Sequence, residues 1–346
     1  MAFFPLDEQL ALREAHYSAG IARLLTRLSG VLPYDQVRQV LQEVGGLQVS
    51  CSSIWRCVQR WGAAFEKQLA AEEEAAKTAT HSWQPAPKAD PARKRMGVAI
   101  DGGMVFILGE GWKEFKAGCM FELEPHRERD PLTGDWGTYG RAVHKSYVAH
   151  LGTPEPLGWR LWSEGQRRGW DAAAATQVLG DGAPWIWNLA AEHFPESNLA
   201  VDWFHATEHL GVAKQTLHPE DSAVATRWYN HWKTALYQGQ AQMLAHELRQ
   251  AAQQHPHQAA DLERAAGYFQ HNHDRMQYQE LREEGWAIGS GVIEGGIKQF
   301  KHRFTGPGMR WKRQGAENLF PICAAVLTGP ERFQELWNKA YNSPPE

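Results

Sequence analysis

Three carboxylates stand at places where a side chain can leave the core and act. Asp101 follows the apolar run 97–100, Asp181 follows Gln177-Val178-Leu179-Gly180, and Glu294 opens a helical pattern. Each alone also suits a turn, a cap or a surface position. Gathered at one end of a sheet, they form an all-oxygen cluster that is costly until hard divalent cations neutralise it, which suits Mg²⁺ or Mn²⁺. Two such ions about 4 Å apart activate a water or hydroxyl and stabilise the leaving oxygen of an in-line phosphoryl transfer. Asp202 also ends an apolar run; with His205 it suits an auxiliary carboxylate and hydrogen-bonding His near the site, or a structural cap.

Beside Glu294 lies the sharpest electrostatic feature of a chain whose net charge is only −4. Residues 297–313 carry Lys298, Lys301, Arg303, Arg310, Lys312 and Arg313 without an Asp or Glu, and Phe304 and Trp311 interleave them. Such a stripe suits a phosphate backbone next to a metal site, although a solvated helix face would also carry it. Paired acids and 16 Trp residues also suit a carbohydrate-active hydrolase, but neutral sugars need no cationic track.

The elements that would position these residues follow from periodicity. The 346 residues suffice for about two domains. Leu10, Leu12, Ile21, Leu24, Leu25 and Leu28 suit a first helix, and Val37, Val40, Leu41 and Val44 a second, stopped by Gly45-Gly46. A third, capped by Ser50 or Ser52, buries Ile54, Cys57, Val58 and Trp61 and turns Arg56, Gln59 and Arg60 outward. This order fits a helix-turn-helix and equally a plain helical hairpin. Residues 1–75 are thus read as a small helical unit, and 76–94, with Pro85, Pro87 and Pro91, as a linker.

A core begins at Arg95. Gly102-Gly103 between two apolar runs predicts a hairpin turn there, with a further strand over 115–123. Strands at 177–179 and 198–201 alternate with helices over 161–175 and after Pro184, so the class is α/β with a mixed sheet. The first part of the core spans 95–205. Residues 206–287 are Ala-, Gln- and His-rich and predict an all-α insertion, and 288–346 complete the core with the basic helix and C-terminal helices. The four Cys residues form no CxxC pair, and no apolar run approaches the ~18 residues of a membrane span, which predicts a cytoplasmic protein without a membrane partner.

Four blocks, "IDGGMVFILGEGWKEFKAGCMFE", "LGDGAPWIWNLAAEHFP", "VDWFHATEHL" and "IGSGVIEGGIKQFKHRFTGPGMRW", resemble in this order those of ISKra-type insertion-sequence transposases, which are bacterial DDE enzymes distantly similar to the Mutator-like group. The resemblance implies an RNase-H-like core and a Mg²⁺-dependent enzyme that cuts double-stranded DNA at terminal inverted repeats and joins the freed 3′-hydroxyl to target DNA. It also implies a homodimer on paired ends. By motif position, Asp101, Asp181 and Glu294 correspond to the metal-binding triad, with Asp202 a rival to Asp181 for the second place because it too ends a strand; with Asp181 in that place, Asp202 and His205 correspond to an auxiliary Asp-x-x-His pair. Such relatives usually carry a cysteine zinc ribbon just before "FFPLDE"; here Met1-Ala2-Phe3-Phe4-Pro5 opens the chain. The expectation is therefore either a truncated, DNA-binding copy or an enzyme relying on Arg56, Arg60 and the basic stripe for its DNA.

Overall fold

The computed structural model describes residues 17–78, 94–130, 132–220, 222–289 and 291–343. Leu10 and Leu12 of the first expected helix, most of the expected linker and the Pro-rich C-terminal end lie outside them.

Five strands form one mixed sheet in the order β3-β2-β1-β4-β5: β1 (Arg95–Ile107), β2 (Gly111–Arg129), β3 (Trp136–Leu151), β4 (Ala175–Gly180) and β5 (Asn198–Val201). The first three are antiparallel neighbours, whereas β4 runs parallel to β1 and β5 parallel to β4. Helices cover both faces, so β1 is buried on both sides over 97–100 and reads as an unbroken apolar run.

The hairpin turn expected at Gly102-Gly103 is not there. β1 passes straight through both glycines and turns only after Ile107, where Gly109 and Gly111 take the left-handed backbone that a tight connection needs. Gly103 instead makes room for a ring, since a Cβ on it would stand 2.4 Å from Phe115. Strand β3 begins at Trp136, in the polar stretch that precedes Val143.

Helix α4 (Pro154–Arg168) links β3 to β4, and α5 (Pro184–His193) links β4 to β5. They cover one sheet face, where Leu161 fills the space over Gly118 and Ile186 that over Gly180. The helical insertion follows as α6 (Trp203–Leu217), α7 (Ala223–Tyr237), α8 (Ala241–Gln254), α9 (Ala259–Asn272) and α10 (Tyr278–Glu283). Its start, at Trp203, is fixed by Asp202, whose carboxylate caps the first turn. The basic helix α11 (Gly291–Phe304) then lies on the other sheet face, with Phe300 against Phe115 and Gly296 beneath the Tyr147 ring.

Three helices precede the sheet: α1 (Ala19–Ser29), α2 (Tyr34–Gly45) and α3 (Cys51–Thr78). Helix α3 runs unbroken through the Ala/Glu-rich stretch. It packs on the C-terminal helices α12 (Arg313–Glu317), α13 (Phe320–Thr328) and α14 (Pro330–Asn342), pairing Phe65 with Phe333 and Trp61 with Trp337 at 5.6 and 4.1 Å. Arg160 of α4 also meets Glu66. The N-terminal helices thereby join the same apolar core as the sheet. Among the described residues no helix is long and apolar enough to cross a membrane.

The tightest joint lies at Gly62, where a Cβ would fall 1.9 Å from the Asn318 carbonyl oxygen. Gly62→Ala is expected to push α3 off the C-terminal helices and destabilise the chain by about 1–3 kcal/mol. In thermal denaturation it lowers a single transition of the whole chain. A drop confined to a separate early transition would mean that α1 to α3 fold independently.

Candidate active site

Strand register places the acids. Pairing of β1 with β4 runs to Ala99 and Leu179, and pairing of β4 with β5 runs to Gly180 and Val201. Continuing those registers brings Asp101, Asp181 and Asp202 level on neighbouring strands, which lie about 4.8 Å apart. This is the carboxyl end of the parallel strands, where open α/β sheets bind their ligands. Asp101 also pairs with Ala117, and Gly103 with Phe115, on the face that α11 covers.

Asp101 feels its neighbours. Burial raises its carboxyl pKa to about 6; the Gly102 N–H, donated to Oδ1 at 2.6 Å, opposes this, the charge of Asp181 adds to it, and His205 and Lys301 oppose it. Asp181 accepts the Ala183 N–H at 2.8 Å, closing the turn into α5. The Tyr268 hydroxyl, from α9, donates to the Asp181 carbonyl at 3.0 Å. Between them Gly182 sits at φ +103°, and a Cβ there would meet the Tyr268 ring at 2.7 Å.

Asp202 has another task. It is fully buried, its Oδ1 accepts the His205 N–H at 2.8 Å, and the same oxygen lies 3.2 Å from His205 Nδ1. That hydrogen bond is the main cause of a His205 pKa near 9; burial opposes it, and the charges of Asp202, Asp101 and Asp181 reinforce it. His205 is therefore an imidazolium at neutral pH, facing the Asp101–Asp181 pair. One turn on, His209 stacks on Tyr268 at 3.7 Å, and burial together with the His205 charge holds its pKa below the usual range.

Glu294 lies in the first turns of α11, 3.6 Å from Lys298. Lys301, whose charge reaches Asp101, is seven positions further and so on the same helix face, about 10 Å along the axis. The structure thus brings together Asp101, Asp181, His205 and Lys301, with Asp202 behind His205. It does not bring Glu294 into one ligand set with the aspartates: among the described residues no three His, Cys, Asp or Glu side chains form a group that could hold a metal ion.

The expected basic stripe divides. Lys298, Lys301, Arg310 and Lys312 are exposed, as are Arg56 and Arg60 on α3. Arg303 is not a surface cation, because it is 2% exposed, donates from Nε to the Ser29 carbonyl at 2.6 Å and lies over the Tyr34 and Trp311 rings. Arg313 is tied to Glu110, at the turn between β1 and β2, and to Glu317. The acid absent from the local sequence is supplied by the β1–β2 turn. Phe304 and Trp311 are core residues whose rings meet tilted, with centroids 5.3 Å apart. Sequence reasoning missed Tyr268 and His209. The i, i+4 spacing of His205 and His209 was the one available signal, and nothing local marks Tyr268.

The chain matches no known protein family and no curated protein.

Two measurements on the metal-free protein test this electrostatic arrangement. The raised pKa of His205 means that its charged form stabilises the fold fully below about pH 6.5 and that this contribution is lost as pH rises through about 9. NMR titration of its ring should give a midpoint near 9 in the wild type, falling toward 6.5 in Asp202→Asn; an unchanged midpoint would refute the Asp202 coupling. For Asp101 the sign is reversed in consequence, because the ionised form is disfavoured in the fold and stability is lost between about pH 4 and 6. Asp101→Asn should therefore raise the melting temperature at pH 7.5 by about 2 °C or more. A lower melting temperature would mean that the carboxylate is structural.

Proposed function

We propose that this chain is a DDE-type DNA transposase with an RNase-H-like core and an all-α insertion between its last strand and its final catalytic helix. The observation that carries the reading is the parallel register setting Asp101 beside Asp181 at the strand ends. A sheet of three antiparallel strands followed by two parallel ones, with the insertion between β5 and α11, supports it.

The residues present fit a hard divalent cation. Asp101 and Asp181 offer oxygen donors whose mutual repulsion such an ion removes. Asp101 and Asp181 would hold Mg²⁺ or Mn²⁺, and Glu294, from α11, would complete the set once released from Lys298. Two ions bound there would supply the activation of the attacking hydroxyl and the charge stabilisation of the leaving oxygen. Asp202 fixes the His205 ring and keeps the proton on Nδ1, so that an imidazolium faces the reacting phosphate. Lys298, Lys301, Arg310 and Lys312 offer phosphate contacts along α11 and the segment after it, while Arg56 and Arg60 do so on α3, the second helix of a helix-turn-helix-like pair. A homodimer acting on paired DNA ends in the cytoplasm belongs to the same proposal.

A second reading, a DNA-binding protein that does not cut, is favoured by the ion pair that occupies Glu294 with Lys298. Incubation with Mg²⁺ and duplex DNA bearing the inverted repeats that flank the gene separates the two. Cleavage by the wild type, lost in Asp101→Asn and Glu294→Gln while DNA binding persists, is the expected outcome. Binding without cleavage by the wild type would leave the second reading, and neither activity would defeat both.

A further inference from the structure

A cleft of ≈ 1210 Å³ opens where α2, the first turns of α3, the end of α11 and the loop 305–312 meet. Leu108 on its rim follows the strand that carries Asp101. At about 3.3 Å per residue the cleft lies on the order of 20 Å from the acids, so it is a separate place. It exceeds the roughly 300–1,000 Å³ of pockets that take one small molecule.

Two kinds of group face into it. Trp55 presents an indole that is 46% exposed, on a helix whose other large aromatics are packed inward. Arg310 and Lys312 are exposed cations with no ion-pair partner among the described residues, and Asp35 is the one acid of the lining. Behind them Arg303 is a structural cation: its Nε donates to the Ser29 carbonyl and its guanidinium meets the Tyr34 hydroxyl beside it.

We propose that this cleft binds unpaired nucleotides of the DNA on which the chain acts; the proposal rests on the transposase reading and adds a substrate feature to it. An exposed indole stacks on the face of a base, and only an unstacked base offers its face. Arg310 and Lys312 take the phosphates. Intact duplex would use the cations but leave the indole idle.

The test uses the full chain in EDTA and fluorescence anisotropy. The probes are a blunt duplex of the flanking repeat and the same duplex with a short thymidine overhang. The wild type is expected to bind the overhang form about tenfold more tightly, as one stacked base allows. Trp55→Ala should abolish that gain and leave blunt-duplex affinity and melting temperature unchanged, while Trp55→Phe keeps most of the gain. Equal affinity for the two probes, or a Trp55→Ala loss shared by both, overturns the cleft proposal and leaves the transposase reading standing. Displacement of the overhang probe by poly-glutamate as readily as by oligothymidine also overturns it, in favour of an acidic protein partner. Failure to bind either duplex defeats the transposase reading together with the cleft.

Discussion

Two like charges held side by side at the ends of parallel strands are the constraint around which this molecule is arranged. Asp101 and Asp181 cannot drift apart, because each is set by a ladder of backbone hydrogen bonds that ends within two residues of it. Burial and the Asp181 charge favour protonation of Asp101, and the fold answers with cations from two directions. His205 comes from the insertion and Lys301 from α11. Neither cation is local in sequence. The charge balance of the site therefore depends on both the insertion and the last part of the chain being folded onto the sheet.

The insertion does more than fill a gap. Its first helix is nucleated by Asp202, which at the same time holds His205 in its charged form. One carboxylate thus sets both the start of a helix and the protonation of the residue facing the aspartates. Tyr268, on α9, reaches back to the carbonyl of Asp181 and occupies the space above Gly182. A displaced insertion would alter the turn that aims Asp181, so the helical unit and the strand-end geometry are mechanically joined.

Much of this was legible in sequence because it rests on local pattern. Strand β5 lies at the expected 198–201, and Asp181 and Asp202 follow short strands as the apolar runs indicate. The hairpin turn was misplaced because Gly102-Gly103 carries two meanings, turn or close packing, and only the partner strand shows that Phe115 needs the space. Arg303 and Arg313 were miscounted as free cations for a related reason. A stripe without acids is electropositive only if no acid arrives from elsewhere, and Glu110 and the Ser29 carbonyl arrive from distant segments. Tyr268 had no signal at all, since a tyrosine in an amphipathic helix is ordinary until its hydroxyl is seen on the Asp181 carbonyl.

Helix α11 ties the two proposed DNA contacts together. Its 14 residues span about 21 Å. Lys301, on the same helix face as Glu294, reaches Asp101 with its charge, and Arg303, near its C-terminal end, forms part of the cleft wall. The helix is pinned between these ends by Phe300 on Phe115 and by Gly296 under Tyr147, contacts too close to permit sliding along the sheet. A rigid rod of this kind fixes the distance between a phosphate at the acids and a base in the cleft. In the proposed function that distance is a geometric filter: it favours a DNA end whose unpaired nucleotides lie on the order of 20 Å from the scissile bond over a duplex that offers only phosphates.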